Sequence, residues 1–105
     1  MAPEQVKFDP LTEHVDQFAL AAVAYVLSTG RKPFAGDAIS RVLYQIVCEP
    51  AVAPSSLNPA LGPQVDYVLQ KAMAKSPKNR FDSCIAFIRA LGAGVEGKYT
   101  EQYIE

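Results

Sequence analysis

The sequence predicts a mainly α-helical domain of about four helices, and three observations support this class. Four segments repeat apolar residues at helical spacing, and no segment alternates apolar and polar residues as a half-exposed strand does. A proline-rich connection, EPAVAPSSLNPALGP at 49–63, separates the second segment from the third. The length of 105 residues suits a single domain.

The first predicted helix runs from about Glu13 to Leu27. Thr12 is a suitable N-cap, the acidic side chains of Glu13 and Asp16 suit the positive end of the helix dipole, and Gly30 follows as a C-terminal glycine. The segment is apolar on nearly all sides. A helix of that kind is normally buried on all sides.

The second predicted helix begins at Asp37, an N-cap residue, and ends before Pro50. Its apolar residues fall on one helical stripe, which comprises Ala38, Ile39, Val42, Leu43, Ile46 and Val47. The connection that follows has four prolines among fifteen residues. We therefore expect it to be extended and packed on a surface rather than flexible.

The third predicted helix opens with Pro63 near the first helical position and stops at Pro77. Its apolar repeat at i, i+3, i+4, i+7 and i+8 comprises Val65, Val68, Leu69, Ala72 and Met73. The fourth starts near Asp82 or Ser83 and is closed by Gly92. Its expected inner face comprises Cys84, Phe87, Ile88 and Leu91.

Composition and charge narrow the class of function. Half of the residues are hydrophobic and a fifth are charged, which is typical of a globular protein. The formal net charge is -1 and the sequence pI is near 5.8, so no broad positive field exists and we expect no nucleic-acid partner.

The cysteines and the termini indicate a location. Cys48 and Cys84 lie among apolar residues and are interpreted as two buried free thiols in a reducing compartment, with one disulfide as the open alternative. No secretory signal is recognisable, and the longest apolar stretch, FALAAVAYVL at 18–27, has ten residues. That is about half of what spans a bilayer. We therefore expect a cytoplasmic location, with membrane anchoring of a parent protein left open.

Two local patterns resemble sites without the context that such sites need. GAGVEG at 92–97 fits G-x-G-x-x-G, but it follows a helix instead of a strand, so we interpret it as the exit from the last helix. His14 lies beside Glu13, but the two side chains point to different sides of a helix, and a metal needs three or four convergent ligands. We expect no metal site there.

Three segments resemble elements of protein kinases, in the family's order and spacing. MAPEQV resembles the A-P-E element that follows the activation loop. DQFALAAVAYVLSTGRKPF resembles D-x-[WF]-[SA]-L-G, an apolar helix and T-G-x-x-P-F, and KAMAKSPKNRF resembles K-[AC]-L-x-K-x-P-x-x-R-[FY]. Residues 1–91 thus resemble a partial C-terminal lobe of the bacterial, eukaryotic-like serine/threonine protein kinases. Residues 92–105 are assigned to a linker or tail.

The resemblance implies a parent enzyme that transfers the γ-phosphoryl group of ATP to serine or threonine of protein substrates. The V-A-I-K lysine, the H-R-D-x-x-x-x-N loop and D-F-G place the phosphates, the Mg²⁺ ions and the catalytic base in that reaction, and none of them is in this sequence. We therefore expect this chain to be inactive alone, with no catalytic, cofactor or metal residue. ATP and Mg²⁺ belong to the parent. The alternative is a non-catalytic helical interaction or dimerisation module derived from a kinase lobe.

The resemblance also assigns roles to individual residues. Glu4 and Arg80 match the glutamate and arginine that form a structural ion pair in the family. Asp16 matches an aspartate that accepts hydrogen bonds from the catalytic-loop backbone, and we expect it here to be solvated or bound to the N–H groups of its own helix start.

Two further segments match regions that contact substrates in the family. Met1, Ala2 and Pro3 match the end of the loop that receives the residue after the phosphoacceptor. KPFAG matches a docking region, in which Phe34 is the candidate anchor. The sequence departs from the family at Ala21, where glycine is usual, and at Val26, near which a glutamate is common.

The resemblance finally predicts partners. In the family the first helix packs on the preceding helix and the catalytic loop. Without those covers an apolar helix exposes a patch on the order of several hundred Å2, which is typical of an association surface. We expect the N-terminal portion of a kinase domain, or a second copy of this chain, to bind there.

Overall fold

The computed structural model describes residues 2–7 and 14–97, and the regular structure in these ranges is entirely helical. This confirms the predicted fold class. The helices are α1 (Pro3–Val6), α2 (His14–Thr29), α3 (Ile39–Cys48), α4 (Pro54–Leu57), α5 (Pro63–Ala72) and α6 (Cys84–Val95), with a 3₁₀ turn at Pro77–Asn79.

Helix α2 is the longest of the described helices, and it ends at Thr29, two residues beyond the predicted Leu27. Gly30 follows with φ +75, and its N–H donates to the carbonyl of Val26 at 2.8 Å. Glycine adopts this left-handed conformation without strain, which makes it a favoured residue after a helix. The predicted capping residues Thr12 and Glu13 lie outside the described residues. The expectation that α2 is buried on all sides is wrong, because Val23 and Leu27 are exposed.

Helix α3 begins one residue later than predicted. Ala38, not Asp37, is its N-cap, and Ile39 at its start is exposed. It ends at Cys48 because the next residue, Glu49, precedes a proline and takes an extended conformation. Cys48 is an exposed free thiol, so the expectation that both cysteines are buried is wrong.

The proline-rich connection packs against α2 and includes the one-turn helix α4. The hydroxyl of Tyr25 donates to the carbonyl of Val52 at 2.6 Å. The side-chain amide of Asn58 donates to the carbonyl of Ser28 at 2.9 Å, near the end of α2. These two hydrogen bonds satisfy backbone groups of segments that regular structure leaves unpaired.

Helices α5 and α6 pack against each other, and one of them matches its predicted face. All five residues of the predicted α5 stripe are buried, although α5 ends at Ala72 and Pro77 opens the 3₁₀ turn instead. In α6 the predicted end at Gly92 is wrong, since the helix continues to Val95. Ile88 is exposed, and the inner face of α6 comprises Phe87, Ala90, Ala93 and Gly94.

The reason for this register lies in the contact between α5 and α6. A Cβ atom on Gly94 would lie 3.4 Å from the carbonyl oxygen of Gln64, so the two backbones approach closely at a residue without a side chain. Gly92 has open space around it and needs no special conformation. Ser83 caps the helix, and its hydroxyl accepts from the N–H of Ala86 at 3.0 Å.

The described residues form a thin body with extents of 38 × 30 × 17 Å. A helix with its side chains is about 10 Å wide, so the short dimension accommodates fewer than two full helix layers. The buried core comprises Ala2, Phe18, Ala21, Tyr25, Ile46, Val65, Val68, Leu69, Ala72, Met73, Phe81, Phe87, Ala90 and Ala93. Among the described residues, no helix has the length and hydropathy of a membrane-spanning segment.

Candidate functional site

A buried ion pair joins α1 to the segment before α6. The two terminal nitrogens of Arg80 donate to the two carboxylate oxygens of Glu4, at 2.7 and 2.8 Å. Glu4 is 2% exposed and Arg80 is 4% exposed. This bidentate geometry is shorter and stronger than a neutral hydrogen bond, and it fixes the orientation of both groups.

Arg80 also fixes two other segments. Its Nε donates to the carbonyl of Ala74 at 2.8 Å, and Nη1 donates to the carbonyl of His14 at 2.9 Å. The guanidinium carbon lies 4.9 Å from the ring centroid of Phe18, within the range of a cation–π contact. One side chain thus joins α1, the start of α2 and the segment after α5.

The charge state of Glu4 follows from these contacts. Burial acts to raise the pKa of the carboxyl, while the hydrogen bond from Arg80, the backbone of Glu4 itself and the Arg80 charge lower it. The net result is a pKa below the ordinary value of 4.5. Glu4 is therefore ionised near neutral pH, as the pair requires.

Gln17 forms a second buried connection beside the ion pair. Its side-chain N–H₂ donates to the carbonyl of Phe81 at 2.8 Å, and its side-chain oxygen accepts from the N–H of Phe81 at 3.0 Å. Gln17 is fully buried. We name the set Glu4, Gln17, Arg80 and Phe81 the polar joint.

Local sequence explains how the polar joint forms. Pro3 stands at the first position of α1, where its missing N–H costs nothing, and the side chain of Gln5 accepts from the N–H of Ala2 at 2.7 Å. After α5, the 3₁₀ turn leads to Arg80 in an extended conformation. The ring of Phe81 packs against Phe87 of α6, at 6.0 Å between centroids.

The other side of α2 is apolar and open. Leu20, Val23 and Leu27 are 37%, 56% and 82% exposed, and their spacing places them on one stripe, which we name the outer face of α2. Next to it lies an open groove of about 360 Å3. The groove is lined by Phe18, Ala22, Val23, Val26, Lys32, Pro33, Phe34, Val42 and Ile46.

Phe34, the predicted docking anchor, forms part of this groove and is half-buried. Its ring stacks on Phe18 at 6.1 Å between centroids and 9° between planes. The ammonium of Lys75 lies 4.4 Å from the Phe34 centroid. Phe34 is therefore a packed wall of the groove and not a freely projecting anchor.

Lys75 also connects this region to the end of α3. Its Nζ donates to the carbonyls of Gln45 and Ile46 at 3.0 and 2.7 Å. These carbonyls lie in the last turn of α3, where a cation is favoured. The pKa of Lys75 is lowered to about 8, mainly by burial and also by the nearby charge of Arg80, against raising contributions from Cys48 and Glu49.

The remaining predicted residues lie apart from the groove. Asp16 is exposed in the first turn of α2. Ala2 and Pro3 are buried at α1, while Met1 lies outside the described residues. Residues 92–95 of GAGVEG are helical, which excludes a phosphate-binding loop at that point. Within ranges 2–7 and 14–97, no three His, Cys, Asp or Glu residues converge as a metal site would require.

Two residues of the site were not predicted from sequence. Gln17 and Lys75 both bind backbone groups that lie far away in the chain, so no local spacing identifies their partners. The sequence does show that Gln17 needs a partner. It lies four residues before Ala21 and eight before Tyr25, on the buried stripe of an apolar helix, where a polar residue needs a partner.

Three curated relatives resemble the chain over most of its length. It is 37% identical over 83 residues to the serine/threonine-protein kinase PknB of Mycobacterium tuberculosis, covering 79% of this chain and 13% of PknB. It is 41% identical over 96 residues to PknF of the same species, covering 91% of this chain and 20% of PknF. It is 37% identical over 91 residues to Pkn1 of Myxococcus xanthus, covering 87% of this chain and 13% of Pkn1.

Solved structures show the same fold. A variant of the Mycobacterium tuberculosis PknI kinase domain superposes with a TM-score of 0.71 at 30% identity, covering 89% of this chain and 33% of that one. The twitchin kinase region of C. elegans superposes with a TM-score of 0.76 at 18% identity, covering 86% of this chain and 16% of that one, which shows the fold alone. No family model matches the chain.

Proposed function

The chain corresponds to the C-terminal-lobe segment of a bacterial, eukaryotic-like serine/threonine protein kinase, and on that premise we propose that it serves as a scaffold for a phosphotransfer site formed by the rest of a kinase domain. The complete domain would transfer the γ-phosphoryl group of ATP to serine or threonine of protein substrates. The remainder of the domain would hold ATP and Mg²⁺. This chain by itself would be inactive, and we place it in the cytoplasm, where ATP is available.

The outer face of α2 is the observation that supports this proposal most. A single-domain protein of this size rarely leaves a long helix with a continuous apolar stripe in water. Leu27 is 82% exposed and Val23 is 56% exposed, although the opposite side of the same helix forms the centre of the core. The PknI kinase domain is about three times as long as its matched part, so it has further segments that could cover such a face.

The polar joint supplies the rigidity that the proposal requires. By the resemblance, Ala2 and Pro3 would form the end of a substrate-contacting loop, directly before Glu4. Because Glu4 is bound to Arg80 through two short hydrogen bonds, the chain at this point has a fixed position on the helical core. Asp16, exposed at the first turn of α2, would accept hydrogen bonds from the backbone of the catalytic loop.

A chimera tests the proposal. The matched segment of PknF is replaced by this chain, and ATP-dependent phosphorylation of a protein substrate is measured. We expect the chimera to be active and this chain alone to be inactive. In the chimera, Leu27→Glu should abolish activity because a carboxylate would enter a packed interface, whereas Val52→Glu, also at an exposed apolar position, should not.

The proposal would be contradicted by a folded chimera that binds ATP but has no phosphotransfer activity, because this lobe segment would then be unable to support the site. An active chimera that tolerates Leu27→Glu would show that the outer face is not the packing surface.

The second candidate is a helical dimerisation module, and the same exposed stripe favours it. An isologous contact between two copies would bury Leu20, Val23 and Leu27 of each. The two functions differ when the N-terminal part of a PknF kinase domain is added in trans. A lobe segment should bind it and lose its self-contacts, while an independent module should remain self-associated.

A further inference from the structure

We propose that residues 98–105, which directly follow the last described helix, bind the exposed apolar side of α6 in the same chain. This side comprises Ile85, Ile88 and Val95, and we name it the outer face of α6. The sequence of residues 98–105 is KYTEQYIE, and they lie outside the described residues. The inference goes beyond the proposed function and does not depend on it.

The outer face of α6 is apolar along most of the helix. Ile85, Ile88 and Val95 are each more than half exposed. Their spacing of three and seven residues places them on one stripe, away from the buried Phe87 and Ala90 on the inner side. One exposed isoleucine is ordinary, but a second apolar stripe on a helix whose first stripe already fills the core is typical of a contact surface.

The chain leaves α6 at a fixed point close to this face. Gly97 has φ +74, so the chain turns out of the helix axis there instead of continuing along it. Its N–H donates to the carbonyl of Gly94 at 3.1 Å, and its carbonyl accepts from the side-chain amide of Gln64 at 3.1 Å. Residue 98 therefore follows Val95, the last residue of the stripe, by less than one helical turn of sequence.

The segment is long enough to reach the whole stripe. From Gly97 back to Ile85 the helix rises about 18 Å. Eight extended residues span up to about 26 Å, so residues 98–105 can reach both Ile88 and Ile85. A contact between the segment and the outer face of α6 therefore requires no second molecule.

The segment carries the apolar side chains that this contact needs. Tyr99, Tyr103 and Ile104 are large, and each tyrosine can keep its hydroxyl in water while its ring lies on an aliphatic side chain. Isoleucine and valine offer such rings a flat aliphatic surface without polar groups that would need hydrogen-bond partners. Burial of apolar surface on both sides would supply most of the stabilisation.

The charges agree with the same arrangement. Glu101 and Glu105 stand among the apolar residues of the segment. In α6 the exposed Arg89 is the neighbour of Ile88. A carboxylate of the segment would be attracted by the guanidinium, although an exposed ion pair of this kind adds little stability. Arg89 would thus favour one placement of the segment and contribute little to how tightly it binds.

A tethered segment fits this face better than a separate molecule does. Three partly exposed aliphatic side chains offer on the order of 300 Å2 of apolar surface, whereas a standard interface between separate proteins buries about 800 Å2 on each partner. The outer face of α2 differs, because it continues into the groove beside it. A segment joined to α6 has an effective concentration in the millimolar range, so a small contact is enough to keep it bound.

The test is an NMR experiment on the full chain with labelled methyl groups of isoleucine, leucine and valine. We expect nuclear Overhauser effects between the ring protons of Tyr99 and Tyr103 and the methyl groups of Ile85, Ile88 and Val95. The ring currents should also shift these methyl signals, and replacing both tyrosines by serine should remove the shifts.

Two substitutions locate the contact. Ile88→Glu places a carboxylate in the middle of the stripe and should abolish the Overhauser effects from both tyrosines. Val52→Glu introduces the same charge at an exposed apolar position of the proline-rich connection and should preserve them. Unchanged methyl signals of the buried Val65 and Val68 would show that both variants keep their core.

An equal mixture of labelled and unlabelled chains distinguishes the segment of the same chain from that of a second copy. Overhauser effects between two molecules in isotope-filtered spectra would identify a second copy as the occupant and overturn the inference. It would also be overturned by the absence of contacts between residues 98–105 and α6, by contacts at another face, or by contacts that survive Ile88→Glu.

Discussion

The two sides of α2 differ in whether their side chains lie in an environment that suits them: one side is buried and hydrogen-bonded, and the other is apolar and exposed to water. On the inner side, the polar joint is buried, and Glu4, Gln17 and Arg80 are hydrogen-bonded to groups from distant parts of the chain. On the outer side, Leu20, Val23 and Leu27 are apolar and yet face water. The inner side therefore has the properties of a protein interior, and the outer side is the exposed apolar surface on which our proposal of a covering partner depends.

This difference separates the contacts that the fold requires from those that it can do without. Buried polar groups are costly unless they are hydrogen-bonded, and the groups of the polar joint find their partners within this chain. Apolar surface exposed to water has a smaller cost per residue, so a folded chain tolerates it. Substitutions on the two sides should therefore affect different properties.

The largest expected effect is on the polar joint. Arg80→Ala leaves the carboxylate of Glu4 buried without its partner, and we expect the free energy of unfolding to fall by about 3–5 kcal/mol. Urea unfolding followed by circular dichroism measures this. Arg89→Ala, at an exposed arginine of α6, is the control and should change stability by less than about 0.5 kcal/mol. If Arg80→Ala does not fold, Glu4→Gln provides a milder test of the same pair; equal stability of Glu4→Gln and the natural chain would contradict the account.

Acid should weaken the same ion pair without a mutation. The pKa of Glu4 is lowered in the folded state, so unfolding takes up a proton at pH values between the folded and the unfolded pKa. The stabilisation by Glu4 is thus fully present above the ordinary value of 4.5 and is lost as the pH falls through the folded pKa. Thermal unfolding of the natural chain and of Glu4→Gln from pH 7 to pH 3 should show a gap that closes with acid. A gap independent of pH would show that ionised Glu4 adds nothing.

A smaller loss is expected at Gln17. Gln17→Leu keeps the volume but removes both hydrogen bonds between the side chain of Gln17 and the backbone of Phe81, which should cost about 1–3 kcal/mol. Gln70→Leu, the same change on the exposed side of α5, should have little effect on stability. Equal urea midpoints for the two variants would mean that water or a shifted backbone replaces Gln17.

The helices were predicted from sequence more completely than the sites. Periodicity predicted all four buried residues of α5 and the buried Met73 just after it, because a short amphipathic helix between two breakers has only one apolar stripe. In α6, periodicity predicted the wrong end and placed Ile88 on the inner face, whereas the structure exposes it, because the close approach of Gly94 to α5 decides the register. That approach depends on tertiary packing, which local spacing does not contain.

The polar joint was predicted only in part. The Glu4–Arg80 pair was expected from the resemblance alone, since two charges separated by 76 residues have no local signature. Gln17 pairs with the backbone of Phe81, and any residue there presents the same groups, so no pattern in the sequence identifies the partner. The groove was not predicted because its walls come from three segments that only the fold brings together.

The smallest expected effect concerns Lys75. Because its pKa is lowered to about 8 from an ordinary 10.5, unfolding takes up a proton between these values, and its contribution to stability rises with pH across that window. An NMR titration of the Lys75 side chain should have a midpoint near 8, and amide signals at the end of α3 should follow it. Lys75→Met should remove this response from α3. A midpoint near 10.5 would show that burial does not lower the pKa of Lys75 and would contradict this expectation.

The measurement that tests the central claim most directly is sedimentation equilibrium over a range of concentrations, on the natural chain and on Leu27→Glu. If the outer face of α2 is an unfinished interface, the natural chain should self-associate as its concentration rises, and Leu27→Glu should be monomeric. At concentrations where both are monomeric, the two proteins should have equal unfolding free energies within about 0.5 kcal/mol, because Leu27 lies outside the core. A natural chain that stays monomeric at every concentration would show that this face needs no cover, and would contradict the account.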